Sequence, residues 1–330
     1  MFLQSVNHHF INDLRTHPQP APITRLPLQR TFRIPRTDSD LLTLNPGRKS
    51  FTMLFEGDKL PVQGGVSQIV TVASVDEAAS FLLLLGESCE IFISTDFRRE
   101  HPEVYAEAKM LSYPGLRKEP PFNIETAAVL MKKLPLDLKG LMKSSLAIMP
   151  EGRVPERIDK KFVHKKNTSN VLISKVYSSG WLHYFNMFNE TEELKFDHTS
   201  DHVQGMLMLE ALRQAALATA HIQGLSFDGG LALLNYDTNF FHYLESSAPI
   251  ILRAYCSFTA NETSEDKDAP IYIQVMQWGK VCADARLKAF AFMSSQRYEQ
   301  QKKRIEIISS RSKVQFQAKA GRILEAGASV

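Results

Sequence analysis

Residues 196–216 read Phe-Asp-His-Thr-Ser-Asp-His-Val-Gln-Gly-Met-Leu-Met-Leu-Glu-Ala-Leu-Arg-Gln-Ala-Ala. From Gly205 to His221 the chain is apolar nearly all the way round a helical wheel. Such a helix is buried rather than laid on a surface. Asp201, with Gln204 three residues on, resembles a capping box that would start it. Downstream come three strand-like runs, Ile250–Thr259, Ile271–Trp278 and Val281–Met293. An acidic loop, Asn261–Ala269, separates the first two, and Gly279-Lys280 marks a tight hairpin between the last two. Upstream, Lys161–Val176 holds the alternating stretch Val171–Val176. One long buried helix followed by an antiparallel meander predicts an α+β fold, a sheet wrapped around a single helix.

The first half reads differently. Residues 15–37 hold Pro18, Pro20, Pro22, Pro27 and Pro35, which makes 1–37 an extended arm. A small α/β region then spans 38–155. It has strands at Gln68–Ala73 and Glu90–Thr95, a helix entered through Ser74-Val75-Asp76-Glu77, and helices over Glu100–Tyr113 and Asn123–Leu134. No phosphate or dinucleotide loop occurs there, since Gly64-Gly65 lacks the further glycines and the lysine. The polar stretch 150–160 reads as a linker into a second domain, 156–294, and 295–330 as a basic C-terminal tail.

Composition narrows the function classes. The 330 residues carry 39 Lys+Arg and 36 Asp+Glu, with 44% hydrophobic residues. That length fits about two domains. The longest apolar run, Phe81–Leu85, stops at Gly86, far short of the ~18 residues of a membrane span. His8, His9 and Asp13 interrupt the N-terminus, so no secretory signal is expected and the protein reads as cytoplasmic. Cys89, Cys256 and Cys282 are too widely spaced for a disulfide framework or a cysteine zinc site. The net charge of +3 divides into −1 over 1–13 (Asp13), +5 over 14–37, −6 over 38–294 and +5 over 295–330. An acidic body with basic ends argues against a nucleic-acid-binding core.

Six of the ten histidines fall between 164 and 242, and the densest patch is Asp197-His198-Thr199-Ser200-Asp201-His202. It precedes a helix N-terminus, whose free N–H groups and dipole attract anions. Glu210 and Arg213 lie three apart on one face of that helix. A carboxylate in an apolar helix is costly unless it is paired or functional. Two readings stay open: a buried Glu210–Arg213 ion pair among satisfied histidines, or a reactive site. His198 and His202 are four apart but lie before the helix with no third ligand specified, so no metal is expected.

The same stretch resembles the signature of the A-factor-biosynthesis hotdog family (AfsA-like), D-H-x-x-D-H-V-P-G-M-x-L-L-E-A-x-R-Q-A, with Gln204 in place of the usual Pro. Val163-His164-Lys165-Lys166, followed by Val171-Leu172-Ile173, resembles the family's opening strand. Phe240-Phe241-His242-Tyr243, followed by Pro249, resembles its segment after the helix. The resemblance covers about 160–294 and one hotdog repeat, where the family enzyme carries two. A lone hotdog implies a homodimer. The spacing from Gly205 to Glu210 also resembles the β-hydroxyacyl-carrier dehydratases of the hotdog superfamily.

The resemblance implies transfer of a β-ketoacyl group from a carrier-protein or CoA thioester to the hydroxyl of a small phosphorylated three-carbon acceptor, with no cofactor. Glu210 takes the place of the acid/base, its pKa raised by burial. His198 or His202 is the proton partner, and the N–H groups at Gly205 and Met206 face the thioester oxygen. Arg213 is the phosphate or carboxylate clamp, and Asp201, Met206 and Gln214 complete the binding set. Alternatives are a dehydratase or thioesterase on the same substrates, or a non-catalytic acyl-binding or regulatory module. The basic ends are candidate contacts for an acidic carrier protein.

Overall fold

The computed structural model describes residues 51–60, 68–111, 122–136, 155–195, 200–258 and 267–327. The Pro-rich arm, Pro114-Gly115 and His198 lie outside the described residues.

The C-terminal part is an antiparallel sheet of six strands. These are β4 (Tyr177–Ser179), β5 (Leu182–Met187), β6 (Gly230–Phe240), β7 (Ile250–Cys256), β8 (Lys267–Gln277) and β9 (Lys280–Phe292), in the order β4-β5-β7-β8-β9-β6. Helix α5 (Gly205–Ile222) lies against one face. Small residues set how closely it packs. Along β9, Ala283, Ala285, Leu287, Ala289 and Ala291 point inward at the two-residue period of a strand. They meet Ala211, Ala215, Ala216 and Ala218 of α5 in one core with Leu252, Ile271, Ile273 and Val275. The β8–β9 hairpin turns through Trp278 (φ 49°) and Gly279 (φ 68°). Two positive φ angles match the right-handed twist of the flanking strands.

The other face of this sheet is buried too. Residues 51–136 form a parallel three-stranded sheet of β1 (Phe51–Phe55), β2 (Gln68–Val72) and β3 (Cys89–Phe92), in the order β2-β1-β3. Helices α1 (Val75–Leu85), α2 (Thr95–Glu100), α3 (Pro102–Met110) and α4 (Ile124–Lys133) accompany it. Ser74, Ser94 and Asn123 cap α1, α2 and α4 with their side-chain oxygens. Leu182, Tyr184, Ile251, Tyr255, Tyr272 and Met276 of the six-stranded sheet belong to the core of this N-terminal unit. Cover on both faces explains why every residue of β7 is buried. At the junction Arg253 is fully buried. Its guanidinium donates to Gln274 Oε1 (2.7 and 2.9 Å), the Met131 carbonyl (2.9 Å) and the Pro135 carbonyl (3.3 Å).

Several expectations need correction. The helix read from Glu100 starts instead at Pro102, because Pro102 cannot continue α2 and opens a new helix. Val171–Val176 is not a strand. Its first four residues are buried, but only Ile173 and Ser174 make isolated bridges, to Met187 and Arg157. The opening strand at 163–166 is a 3-10 turn, Lys160–Val163, ended by His164 in the left-handed region (φ 54°). Within the stretch read as a linker, Ile158 is packed into the α5 core. The basic tail is one helix, α6 (Ser295–Gly327), rooted by Tyr298 against Gly230 and Phe292. Strands β1, β4, β5 and β6 were not anticipated from the sequence.

Candidate active site at the head of the buried helix

Residues 201–203 are strapped to 244–246. Val203 N donates to the Leu244 carbonyl (2.8 Å), and Ser246 donates to the Asp201 carbonyl through N (3.0 Å) and Oγ (2.8 Å). This strap places Gln204, not Asp201, as the N-cap of α5, and no side chain caps the helix. The capping box therefore does not form. Asp201 sits too early, uses its carbonyl in the strap, and leaves its side chain 93% exposed. The helix opens with Gly205 and Met206 exposed. Beside them lies a cleft of about 340 Å³ lined by Val203, Gly205, Met208 and Phe240–Leu244. Phe241 and His242 hold its far wall in place by donating their N–H groups to the Cys282 carbonyl (2.8 and 3.0 Å).

His202 stands at the edge of this cleft, its ring 6.5 Å from that of Tyr243. Its Nδ1 lies 2.8 Å from Ser200 Oγ and 3.2 Å from Asp201 Oδ1. The His202 ring hydrogen bond holds the Asp201 carboxyl below the usual carboxylate range.

Glu210, one and a half turns further along, is held on several sides. Arg213 grips both of its oxygens, Nε to Oε2 at 2.7 Å and Nη2 to Oε1 at 2.6 Å. Lys165 Nζ (2.9 Å) and Gln214 Nε2 (3.0 Å) also reach Oε1. Burial alone would push the Glu210 carboxyl up, but the hydrogen bonds and charge of Arg213, with Gln214 and Lys165, hold it down at about 2. This overturns the expectation of a raised pKa: a carboxylate so strongly ionised is a poor proton acceptor near neutrality. Gln214 is fully buried and ties the cluster to the backbone. Its Oε1 accepts from Leu172 N (2.7 Å) and its Nε2 donates to the Asn170 carbonyl (2.9 Å). Lys165 also pairs with Glu193.

The sequence thus pointed to two groups that the fold keeps separate. Gly205 lines the cleft and His202 stands at its edge, with Asp201 beside it and Met206 exposed at the helix head, while Glu210, Arg213 and Gln214 form an ionic cluster on the helix flank. Lys165 was missed as a member of that cluster, although it stands inside the V-H-K-K stretch. Other histidines in the crowded segment serve packing. His221 Nδ1–H donates to the Leu225 carbonyl (3.0 Å), and its Nε2 meets His164 Nε2 at 2.9 Å. Burial lowers both, with the Arg213 charge adding for His164 and the His164 charge for His221, to about 4. His183 lies between Ser178 Oγ (2.7 Å) and Gln223 Nε2 (2.7 Å), and burial lowers it to about 4 as well. Among the described residues, no group of three or more His, Cys, Asp or Glu side chains is placed to hold a metal ion.

A long helix held against an antiparallel sheet, with a cleft at the helix head, defines a hotdog domain. Residues 147–293 match the A-factor biosynthesis hotdog domain. The structure is also similar to a thioesterase from Haemophilus influenzae, at 12% identity over 36% of this chain and 78% of that one, with a TM-score of 0.30. A putative thioesterase from Shewanella oneidensis matches at 8% identity over 40% and 87% of the two chains, with a TM-score of 0.30. A hypothetical thioesterase with coenzyme A from Streptococcus pneumoniae matches at 10% identity over 36% and 86%, with a TM-score of 0.27. No curated protein matches the chain.

Proposed function

We propose that this protein is an acyl-thioester enzyme. It transfers a β-ketoacyl group from CoA or an acidic carrier protein to the hydroxyl of a small phosphorylated acceptor. The observation that carries the reading is the uncapped head of α5 opening, through Gly205, onto an apolar cleft. The first N–H groups of a helix have no partner within the helix. Here no side chain caps them, so they are available to an oxygen gaining negative charge. The N–H groups of Gly205 and Met206 hold the thioester oxygen, and Val203, Met208 and Phe240 enclose the acyl chain. His202 carries the proton, with His198 as a second candidate. Glu210, fixed as an anion, anchors Arg213, whose remaining N–H groups face the acceptor's phosphate. Gln214 holds this cluster in register, and Asp201 supports His202.

The protein acts in the cytoplasm, where its three free cysteines stay reduced. Among the described residues no helix is long and apolar enough to cross a membrane. It acts as a homodimer, through the edge strand β6 and its exposed Leu233, Leu234 and Phe240. Hydrolysis of the same thioester is the competing reading, favoured by the exposure of Gly205 to water.

The test is thiol release from a β-ketoacyl-CoA, with and without a three-carbon hydroxyketone phosphate, in the wild type and in Gly205→Pro. Proline suits the first position of a helix while removing one N–H, and a Cβ at Gly205 meets nothing within 4 Å. The variant is expected to keep its helix content by circular dichroism and to lose about 10²–10³-fold in kcat. Wild-type protein that releases no thiol from either CoA or carrier thioesters would overturn the proposal. Release unaffected by the phosphorylated acceptor would make it a hydrolase.

A further inference from the structure

We infer that Ser200 is the nucleophile of this site and that acyl transfer passes through an ester on its hydroxyl. The inference rests on the acyl-thioester reading above. With Glu210 tied to Arg213, Lys165 and Gln214, the cleft needs another group to start the reaction. Beside it stands one hydroxyl with a base in contact. Ser200 is only partly exposed, and its Oγ lies 2.8 Å from His202 Nδ1. A serine is a weak nucleophile until an adjacent base takes its proton. The carboxylate that stabilises the resulting imidazolium is also present, since Asp201 Oδ1 is 3.2 Å from the same nitrogen. Neutral Nδ1 accepts the Ser200 O–H, and protonated Nδ1–H turns to Asp201. The strap to 244–246 holds Asp201 and His202 just before Val203 and Gly205, which wall the cleft, and Ser200 is tied to them through His202.

The steps balance without an added reagent. Ser200 Oγ attacks the thioester carbonyl while its proton passes to His202 Nδ1, and the oxygen of the tetrahedral intermediate rests on the N–H groups at the helix head. The C–S bond breaks, and the leaving sulfur takes the proton from His202. The acceptor hydroxyl then gives its proton to His202 as its oxygen bonds to the acyl carbon. The ester bond to Ser200 breaks, and Oγ recovers the proton.

Ser200 also has a local role, because its Oγ accepts the N–H of His202 at 3.3 Å. Ser200→Asn separates the two roles: an asparagine oxygen accepts the same turn hydrogen bond but forms no ester. The experiment uses the full chain with a β-ketoacyl-CoA and no acceptor, read by intact mass and peptide mapping, with thiol release followed in parallel. The expected result is one acyl group per chain on the peptide bearing Ser200, with a matching burst of thiol. Ser200→Ala and Ser200→Asn are both expected to give no adduct and at least about 10³-fold slower thiol release. Thiol release by Ser200→Asn at the wild-type rate would overturn the inference while leaving the acyl-thioester function intact. Wild-type protein releasing no thiol would overturn both.

Discussion

At the scale of single residues, Glu210 shows how one interaction resets a chemical role. Burial and charge pairing act on it in opposite directions, and pairing wins because Arg213 binds both carboxylate oxygens while Lys165 approaches one of them. The folded pKa of about 2 lies below the 4.5 of the free group. A depressed carboxylate pKa contributes stability that is present above the unfolded value and lost as pH falls through the folded one. The stabilisation from Glu210 is therefore complete above about pH 4.5 and disappears towards pH 2. A shift of that size corresponds to about 3 kcal/mol. Glu210→Gln is expected to unfold about 3 kcal/mol more easily in urea at pH 7, a gap that falls to about half that near pH 3. A gap of the same size at both pH values would show that the pairing is not what stabilises the residue. The Glu-Ala-Leu-Arg-Gln run displayed both partners on one helix face. It did not reveal Lys165, which comes from 45 positions upstream and reaches the site only through the turn before His164.

Among the elements, α5 was legible from residue types alone, since an apolar helix of this length has nowhere to go but the core. The edge strand β6 was not, and the reason lies in its register. A β-bulge falls between Leu233 and Asn235, leaving Leu234 without a partner on β9. Before the bulge Leu231 packs inward; after it Tyr236 does, so the alternation changes parity midway. A search for a single two-residue period misses such a strand. The bulge also leaves Leu234 59% exposed, next to exposed Leu233. Exposed leucines on an edge strand are an association surface. The full chain is expected to run as a dimer by light scattering, and Leu234→Lys to shift it to monomer at micromolar concentration. A wild type that stays monomeric at every concentration tested would rule out this contact.

For the whole molecule, the decisive feature is the covering of the outer sheet face by the N-terminal unit. Arg253 ties the two together. Burial lowers its pKa, yet its guanidinium bonds to the Gln274 amide and to carbonyls at the end of α4, the negative end of the helix dipole. Arg253→Met removes the donor and leaves those buried acceptors unpaired. It is expected to lower unfolding stability by about 2–4 kcal/mol. An equal or greater stability would mean that the cost of burying the charge exceeds the value of its hydrogen bonds.

Residue type and spacing alone sufficed for the buried helix, the β8–β9 hairpin, the helix cap at Ser74 and the resemblance of the C-terminal part to the hotdog family. Each of these rests on residues within a few positions of one another, where spacing and residue type fix the local conformation. Tertiary structure alone decided three things: that the outer face of the six-stranded sheet is a domain junction, that Glu210 is an anchored anion, and that Ser200 and His202 meet at an open helix head. These depend on contacts between segments far apart in sequence, or on a strap that selects one N-cap over another. Which partner a charged or polar side chain finds is set by the packed fold around it, and that partner decides its protonation state and its chemistry.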